Sequence, residues 1–478
     1  MTLRELLGDG PDGVPVTGLA FDNRAVEPGT LFFCVLGFTR DGHDFAPDAV
    51  ARGASALVVT HPLGLGVPEV VVDDVRATMA HAAARFFGDP TAELAVCGIT
   101  GTNGKTTTAF LVRSLLEAAG RQCGLLGTVK SVIGGVEQPV VRTTPEAIDL
   151  QRSFRAMRDG GDVACAMEIS SHALELRRAD GVHVQAAVFT NLTQDHLDFH
   201  PSMEDYFQAK RLLFASELTR ARIANADDAY GCRLAGEFAD TVTFGIEREA
   251  DYRATDLHFG FSGSSFTART PDGDHPVSIS LPGHFNVLNA LAAWAAGRAL
   301  GVDAATIAAA LPDAARAPGR FEPVDEGQPY AVLVDYSHTP DSLENALHAA
   351  RHLADGRVLA VFGAGGDRDR AKRPLMGEIA ARLADVALVT SDNPRSEDPE
   401  AIIAEILAGI PAGTAAQVEH DPDRRASIRR AVSMAAAGDV IVIAGKGHEQ
   451  GQEFAGGRKE PFDDVAVARE ALRAGTRA

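Results

Sequence analysis

The run Ile99-Thr100-Gly101-Thr102-Asn103-Gly104-Lys105-Thr106-Thr107-Thr108 carries the most specific chemistry in the chain. It follows an apolar stretch, Leu94 to Cys97, and precedes a helix-like stretch, Thr107 to Ala119. Strand, glycine loop and helix in that order make a phosphate cradle, in which backbone N–H groups and the positive end of the helix dipole face an anion. Lys105 is then set against the β- and γ-phosphates, and the Thr106 hydroxyl holds Mg²⁺. The strict pattern wants glycine where Ile99 stands, so this is a variant loop with Gly101 inside it. The plainer reading is a Gly/Thr-rich turn before an ordinary helix. Lys-Thr directly after Gly104, between a strand and a helix, argues for nucleotide binding instead.

Other residues could serve the same chemistry. Glu168 ends the apolar run Ala164 to Met167 and is followed by Ser170-Ser171-His172. A carboxylate there is either a solvated strand end or, near a phosphate loop, a holder of Mg²⁺. Thr190 to His200 contains Asp195, His196, Asp198 and His200. Such a cluster is open to a zinc reading or to that of a polar loop with helix-capping aspartates; without cysteine, Mg²⁺ support beside ATP fits better. Lys210 lies in a helical pattern, Tyr206 to Phe214, and by spacing alone is a solvated or snorkelling residue.

Three strand-like runs near the C-terminus each end in a polar loop. Val358 to Phe362 leads to Gly363-Ala364-Gly365-Gly366-Asp367-Arg368, Val386 to Thr390 to Ser391-Asp392-Asn393-Pro394-Arg395, and Val440 to Ala444 to Gly445-Lys446-Gly447-His448-Glu449. Arg368 stands where a dinucleotide fingerprint needs its third glycine, which excludes an NAD site. If the strands are parallel, the loops share the sheet edge at which open α/β sheets bind ligands. Arg368 and Arg395, with Glu449 of opposite sign, suit an amino-acid ligand, because a guanidinium pairs with a carboxylate in bidentate fashion.

The elements that position these residues read as an α/β chain of three domains. Residues 1–88 form a small unit with buried strands at Ala56 to Val59 and Val70 to Val72. Residues 89–316 alternate strands (Ala164 to Ile169, Ala186 to Leu192) with helices, which predicts a mostly parallel sheet. Within them, 251–282 is expected as an antiparallel insertion and Asn286 to Leu300 as a helix. Residues 317–478 follow a hinge at Ala317-Pro318-Gly319-Arg320. The 478 residues carry a formal net charge of -20, which argues against nonspecific nucleic-acid binding and anionic membranes. The five cysteines, Cys34, Cys97, Cys123, Cys165 and Cys232, include no C-x-x-C pair, and four lie in apolar runs, so core packing is expected. Met1 to Gly10 has no signal pattern and no apolar run reaches membrane-spanning length. A cytoplasmic monomer is the expectation.

With these motifs in order, the chain closely resembles the Mur ligases of peptidoglycan synthesis, and within them the diaminopimelate-adding MurE type. The resemblance rests on Gly101 to Thr107, Thr143-Thr144-Pro145, Glu168 to His172, Asn191 to Asp198, His284 to Asn289, Gly319-Arg320, Asp335 to Asp341, Asp392 to Arg395 and Gly445 to Glu449. It implies a UDP-binding N-terminal domain, a central P-loop ATPase domain and a C-terminal Rossmann-like domain that binds the incoming amino acid. It implies ATP as co-substrate, two Mg²⁺, and CO₂ that carbamylates Lys210 into a metal ligand. It places Gly101, Thr102, Asn103, Gly104, Lys105, Thr106, Thr107, Asn289, Arg320 and Asp335 at ATP, and Thr106, Glu168, His196 and Lys210 at the metals. It gives Lys105, Lys210, Glu168 and His196 the catalytic roles. The UDP-muramoyl dipeptide falls to Phe21, Asn23, Phe38, Thr39, Arg40, Thr143, Thr144, Ser170 and Arg178. Diaminopimelate falls to Arg368, Asp392, Asn393, Pro394, Arg395, Gly445 and Glu449. Asn23 and the Phe38-Thr39-Arg40 segment depart from the commonest uridine residues of the family, and Leu176 stands where some relatives carry glutamine.

In this family the arginine of Asp392-Asn393-Pro394-Arg395 accompanies diaminopimelate, and lysine-adding relatives lack it. The competing readings are the same reaction with LL-diaminopimelate or lysine, a folylpolyglutamate-synthase-like ligase, a nucleotide-switch or motor ATPase, and an inactive binding module. No Asn-Lys-x-Asp follows a strand, as a GTPase would need, and no key polar position is lost.

Overall fold

The structure is a computed structural model that describes residues 1–261 and 263–475. The chain forms two compact units. One comprises Met1–Thr100, Gly120–Ala187 and Ala209–Ala221; the other comprises Gly101–Ala119, Val188–Gln208 and residue 222 onward.

The first unit begins with a four-stranded parallel sheet in chain order: Gly18–Ala20, Thr30–Phe33, Ala56–Val59 and Glu69–Val71. Leu31, Phe33 and Val58 on one face pack with Met79 and Ala80 of the helix Val75–Phe86, which Asp74 caps by accepting from the Ala77 N–H. In the same unit Ala95–Thr100 pairs in parallel with Ala164–Glu168, and Ala164–Glu168 with Cys123–Leu126. Ser131–Ile133 and Val136–Gln138 extend this group antiparallel. The strand expected to reach Ile169 stops at Glu168, because Ser170 already caps the helix Ser171–Glu175.

The second unit holds the phosphate loop, the helix Lys105–Ala118 and the helix His284–Ala299, which pack together. Gly297 sits at this contact, where an added Cβ would lie 3.2 Å from Ile307 Cδ1 and 3.4 Å from Leu115 Cδ1. Tyr252–Gly260, Gly263–Thr270 and Gly273–Ile279 form the antiparallel ladder expected over 251–282.

The C-terminal sheet has the order Glu322–Pro323, Ala331–Asp335, Val440–Ala444, Val358–Phe362, Val386–Thr390, Gln417–Asp421. All its pairs are parallel except the first. Its three central strands are buried at every position, which is why they read as unbroken apolar runs. The period of two divides them between two cores. Ala360 and Phe362 meet Leu343, Leu347 and Met376 on one face, while Leu359 and Val361 meet Ile428, Val432 and Val467 on the other.

The closing helix is tied down by charge as well as by packing. Arg424 Nε and Nη2 donate to the Asp464 carboxylate at 2.8 and 2.7 Å, and Nη2 also reaches the Ala444 carbonyl at 2.9 Å. Both side chains are fully buried. Asp464→Ala is expected to lower stability by about 3–5 kcal/mol, because it strands a buried guanidinium. A denaturant melt of the variant that overlays the parent's would contradict this.

Candidate active site

In the second unit the phosphate loop has room only for glycine at two points. Gly101 (φ +149) and Gly104 (φ +87) lie against Thr190 and Asn289; an added Cβ would come within 1.8 Å of Thr190 Oγ1 and 2.4 Å of Asn289 Oδ1. The loop is braced by the segment after the strand Val184–Phe189. Thr190 Oγ1 donates to the Asn103 carbonyl at 2.6 Å, and the Asn103 N–H donates to Asn191 Oδ1 at 2.9 Å. Lys105 Nζ donates to the Gly101 and Thr102 carbonyls, each at 2.8 Å, so its ammonium is drawn back across the loop. The helix starts at Lys105 rather than Thr107, since the left-handed turn at Gly104 ends the loop directly before it.

Beside the loop is a cleft whose walls include Asn103, Gly104, Thr107, Asn289, Arg320 and Asp335. Six residues expected at ATP thus come together. Arg320 Nη2 donates to Thr106 Oγ1 at 3.2 Å, and its guanidinium carbon lies 4.4 Å from the centre of the Tyr336 ring. Burial pushes the Tyr336 hydroxyl up to about 12. Burial also raises the Asp335 carboxyl, which accepts from the Phe321 N–H at 2.7 Å and from Ser337. Asn103 Nδ2 donates to Asp341 Oδ2 at 2.7 Å. Residue spacing alone gives no role to Tyr336 or Asp341, although both lie inside the run Asp335 to Asp341.

His196 is in the left-handed region (φ 54), with Nε2 3.5 Å from Asp195 Oδ2. Burial would raise the Asp195 carboxyl, but His196, His338 and Lys372 outweigh it and hold the group below its ordinary range. Lys372, to which its sequence context gives no role, is buried, and desolvation lowers its ammonium despite Asp195 and Asp392 nearby.

In the first unit Glu168 is 1% exposed, so it is no solvated strand end. Its carboxylate accepts from the Thr128 N–H at 2.8 Å and Thr128 Oγ1 at 3.0 Å, and Thr128 Oγ1 lies 3.0 Å from Thr143 Oγ1. Thr144 Oγ1 donates to the Glu168 carbonyl at 2.9 Å and accepts from the Ser170 N–H at 3.1 Å. Arg178 Nη1 reaches the Thr144 carbonyl at 3.4 Å. Thr143, Thr144, Glu168, Ser170 and Arg178 therefore form one bonded group. Lys210, on the helix Met203–Ala215, is 1% exposed, which corrects the solvated reading that spacing gave it. In the N-terminal sheet region Asn23 Nδ2 donates to Asp48 Oδ2 at 2.8 Å and Phe21 packs partly into the core. Phe38 is 75% exposed, and Thr39 and Arg40 are exposed beside it.

The three polar loops of the C-terminal sheet lie at the carboxyl ends of adjacent parallel strands. Arg395 (φ 52) donates through Nε to Glu453 Oε2 at 3.1 Å and through Nη1 to the Gly366 carbonyl at 2.7 Å. Glu449 accepts from Asn393 Nδ2 at 2.8 Å and from the fully buried Lys446 Nζ at 3.0 Å. Lys446 Nζ also donates to Asn393 Oδ1 at 2.8 Å and lies 4.0 Å from Asp392 Oδ1. Gly445 permits the Asp392 carboxylate to approach, since a Cβ there would meet Oδ2 at 2.3 Å. Gly366 permits the same of Pro394, whose carbonyl oxygen would be 1.9 Å away. Arg368 is exposed, with Nη1 3.0 Å from the Asp367 carbonyl. Glu453 and Lys446 are the additions that sequence spacing did not signal as partners of Arg395 and Glu449.

Residues 15–87 match the Mur ligase family catalytic domain, 99–297 the Mur ligase middle domain, and 319–447 the Mur ligase glutamate ligase domain. The chain is 49% identical over 476 residues to the UDP-N-acetylmuramoyl-L-alanyl-D-glutamate--2,6-diaminopimelate ligase of Geobacillus thermodenitrificans, covering 98% of this chain and 96% of that protein. A solved structure of a ligase of that name is 34% identical, with a TM-score of 0.73 and 100% of both chains covered. The MurF ligase of Thermotoga maritima in complex with ADP shares the fold at 19% identity, with a TM-score of 0.66 over 100% of both chains. The chain belongs to the Mur ligase family. It is an enzyme, a ligase, with the α/β architecture of that family, and among the described residues no helix is long and apolar enough to cross a membrane.

Gly104→Ala tests the cleft. The substitution is expected to weaken ATP binding at least ~10-fold, because the left-handed turn and the contact with Asn289 are both lost. Titration with a fluorescent ATP analogue checks it, with circular dichroism confirming the fold; undiminished affinity would contradict the assignment.

Proposed function

We propose that the chain joins meso-diaminopimelate to UDP-N-acetylmuramoyl-L-alanyl-D-glutamate at the expense of ATP, releasing ADP and phosphate and forming the UDP-muramoyl tripeptide of peptidoglycan synthesis. The observation that carries this reading is identity over almost the full chain with a relative of that name, together with Arg395 on the C-terminal rim. The proposed place of action is the cytoplasm.

ATP lies with its phosphates on the loop Gly101 to Gly104. The N–H groups that open the helix Lys105–Ala118, with Lys105, stabilise charge on the γ-phosphoryl as it moves. An oxygen of the substrate's free glutamyl carboxylate attacks the γ-phosphorus, the bond to the β-phosphate oxygen breaks, and ADP leaves. The product is an acyl phosphate. The neutral amine of diaminopimelate attacks its carbonyl carbon, the tetrahedral intermediate expels phosphate, and the nitrogen loses a proton. The amide forms without a covalent protein intermediate.

The Thr106 hydroxyl in one unit and the Glu168 carboxylate in the other are both buried, and each is by type an oxygen donor that would hold Mg²⁺; the family resemblance gives His196 a supporting role. Lys210 as an ammonium is no metal ligand; reaction of its amine with CO₂ gives a carbamate, whose oxygens are. Mg²⁺ when bound supplies neutralisation of phosphate charge. Thr143, Thr144, Ser170 and Arg178 hold the muramoyl dipeptide, with Phe21, Asn23 and Phe38 to Arg40 toward the uridine. Arg395 and Arg368 take the far carboxylate of diaminopimelate, and Glu449 the far ammonium. Lysine lacks that carboxylate.

A phosphate-release assay with the UDP-muramoyl dipeptide and a panel of meso-diaminopimelate, LL-diaminopimelate and lysine tests the reading. Phosphate release that needs no amine, or that lysine supports best, would overturn it. Arg395→Ala is expected to raise KM for diaminopimelate by about 10- to 100-fold, with KM for ATP within about twofold. An equal loss for both would contradict the assignment. Lys210→Met, close in size to lysine, is expected to abolish phosphoryl transfer while leaving the circular dichroism spectrum unchanged; an active variant would refute the carbamate role.

A further inference from the structure

Glu146 occupies the N-cap position of the helix Ala147–Asp159 with extended backbone (φ -65, ψ 155), yet its side chain makes no cap hydrogen bond. Elsewhere the chain caps its helices with shorter side chains, such as Asp74 and Ser170, that do accept from the first turn. The Glu146 carboxylate faces three arginines instead. Oε1 is 2.8 Å from Arg178 Nη2 and 3.4 Å from Arg142 Nη1, and Oε2 is 3.1 Å from Arg76 Nη1. Its side chain is 6% exposed, those of Arg178 and Arg76 are 13% and 18% exposed, and that of Arg142 is 50% exposed.

One guanidinium would neutralise this carboxylate. Three against one leave two positive charges in excess, and two of the three guanidiniums are largely withdrawn from water, where their field is screened least. Arg178 Nε is buried and has no hydrogen-bond partner. A buried donor left so is costly, and an acceptor arriving there relieves the cost. Burial lowers the Arg178 guanidinium somewhat while Glu146 acts against it. The group is therefore prepared for an anion and already aligned by Glu146.

We propose that Glu146 is a positioning residue for substrate recognition, which sets the Arg178 guanidinium for a carboxylate of the sugar-linked acid, and that Arg76 adds attraction from the helix Val75–Phe86. The proposal rests on the reaction proposed above. The glutamyl end of that substrate carries two carboxylates, and one must be phosphorylated. The other is left to be held, and the Arg178 guanidinium, whose Nε still lacks an acceptor, matches it in charge and donor type. Arg178 reaches the group containing Thr144, Ser170 and Glu168 through the Thr144 carbonyl. Glu146 acts through the arginines it holds, Arg178 foremost, so its loss changes substrate affinity more than turnover.

The test is steady-state kinetics of the full-length enzyme with two acceptors, the UDP-muramoyl dipeptide and the analogue in which the non-reacting glutamyl carboxylate is a carboxamide. Glu146→Gln is expected to raise KM for the natural acceptor about tenfold, with a smaller change in kcat and KM for ATP within about twofold. With the carboxamide analogue, parent and variant are expected to have KM values within about twofold of each other, because the interaction that Glu146 aligns is gone from both. An unchanged KM for the natural acceptor, or the same rise with both acceptors, would overturn the proposal. If Glu146→Gln does not fold, Arg76→Gln, which leaves the Glu146–Arg178 pair in place, carries the test. It is expected to raise KM about threefold for the natural acceptor alone, and equal KM shifts for both acceptors would overturn the proposal. A parent enzyme that releases no phosphate with this acceptor and diaminopimelate would remove the proposed reaction and this inference with it. An active parent with a neutral Glu146 variant would remove the inference alone.

Discussion

A cation that must meet an anionic substrate has to be held in place before the substrate arrives, and in a chain of net charge -20 that holding is done locally. Long cationic side chains lose up to about 2 kcal/mol of rotamer freedom when fixed. Here the fixing is built into the fold. Lys105 donates to two carbonyls of its own loop, Arg178 to Glu146 and the Thr144 carbonyl, Arg395 to Glu453 and the Gly366 carbonyl, and Lys446 to Asn393 and Glu449. Each arrangement limits the movement left for binding to order, which is where preorganisation lowers the cost of recognition. The ligand has then to compete with weak carbonyl or single carboxylate contacts rather than with bulk water.

The backbone contributes to the same end. Among the described residues, the non-glycine positions in the left-handed region are Asp89, Arg177, His196, Asp256, Phe321, Asp367 and Arg395. His196 and Arg395 are themselves candidate site residues, and Arg177, Phe321 and Asp367 adjoin Arg178, Arg320 and Arg368. Such conformations cost on the order of 1–3 kcal/mol each and persist only where surrounding structure fixes them. At Arg395 the fixing is visible: its N–H donates to the Glu453 carbonyl at 3.0 Å while its side chain pairs with the Glu453 carboxylate. The strain and the ion pair therefore point the same guanidinium in one direction.

What could be read from the sequence follows from how local each feature is. Val358–Phe362, Val386–Thr390 and Val440–Ala444 have the ends that the apolar runs predict, because strands covered on both faces tolerate no polar residue within them. The phosphate loop is legible for the same reason, since its glycines, lysine and threonine are contiguous. Strand ends beside the site were less legible: the run read through Leu192 ends at Phe189, where Thr190 and Asn191 turn to brace the loop. Spacing alone puts Lys210 on the solvated side, although the sequence holds a contrary signal. Tyr206, Phe207, Leu213 and Phe214, three and four residues away on either side, are all buried, so position 210 shares their face. Glu146 gave no signal, because two of its three partners are 70 and 32 residues distant and become neighbours only in the fold.

The sum of charge in each group then bears on which ligand it suits. Around Glu146 the balance is two positive charges, which favours an anion. On the C-terminal rim Arg395 pairs with Glu453 and Lys446 with Glu449, two charges of each sign, and Asn393 bonds to both members of the second pair. A balanced rim attracts neither a simple anion nor a simple cation strongly, since every favourable contact comes with an opposing one a few ångströms away. A zwitterionic end, carrying an ammonium and a carboxylate on one carbon, can satisfy both signs at once. Lysine offers only the ammonium, which leaves the guanidinium of Arg395 without a new partner and close to a like charge. In the reaction proposed above, diaminopimelate is then chosen on this rim by a match to a pattern of charge rather than by one more cation, and Glu453, which pairs with Arg395, belongs to that pattern as much as Arg395 does.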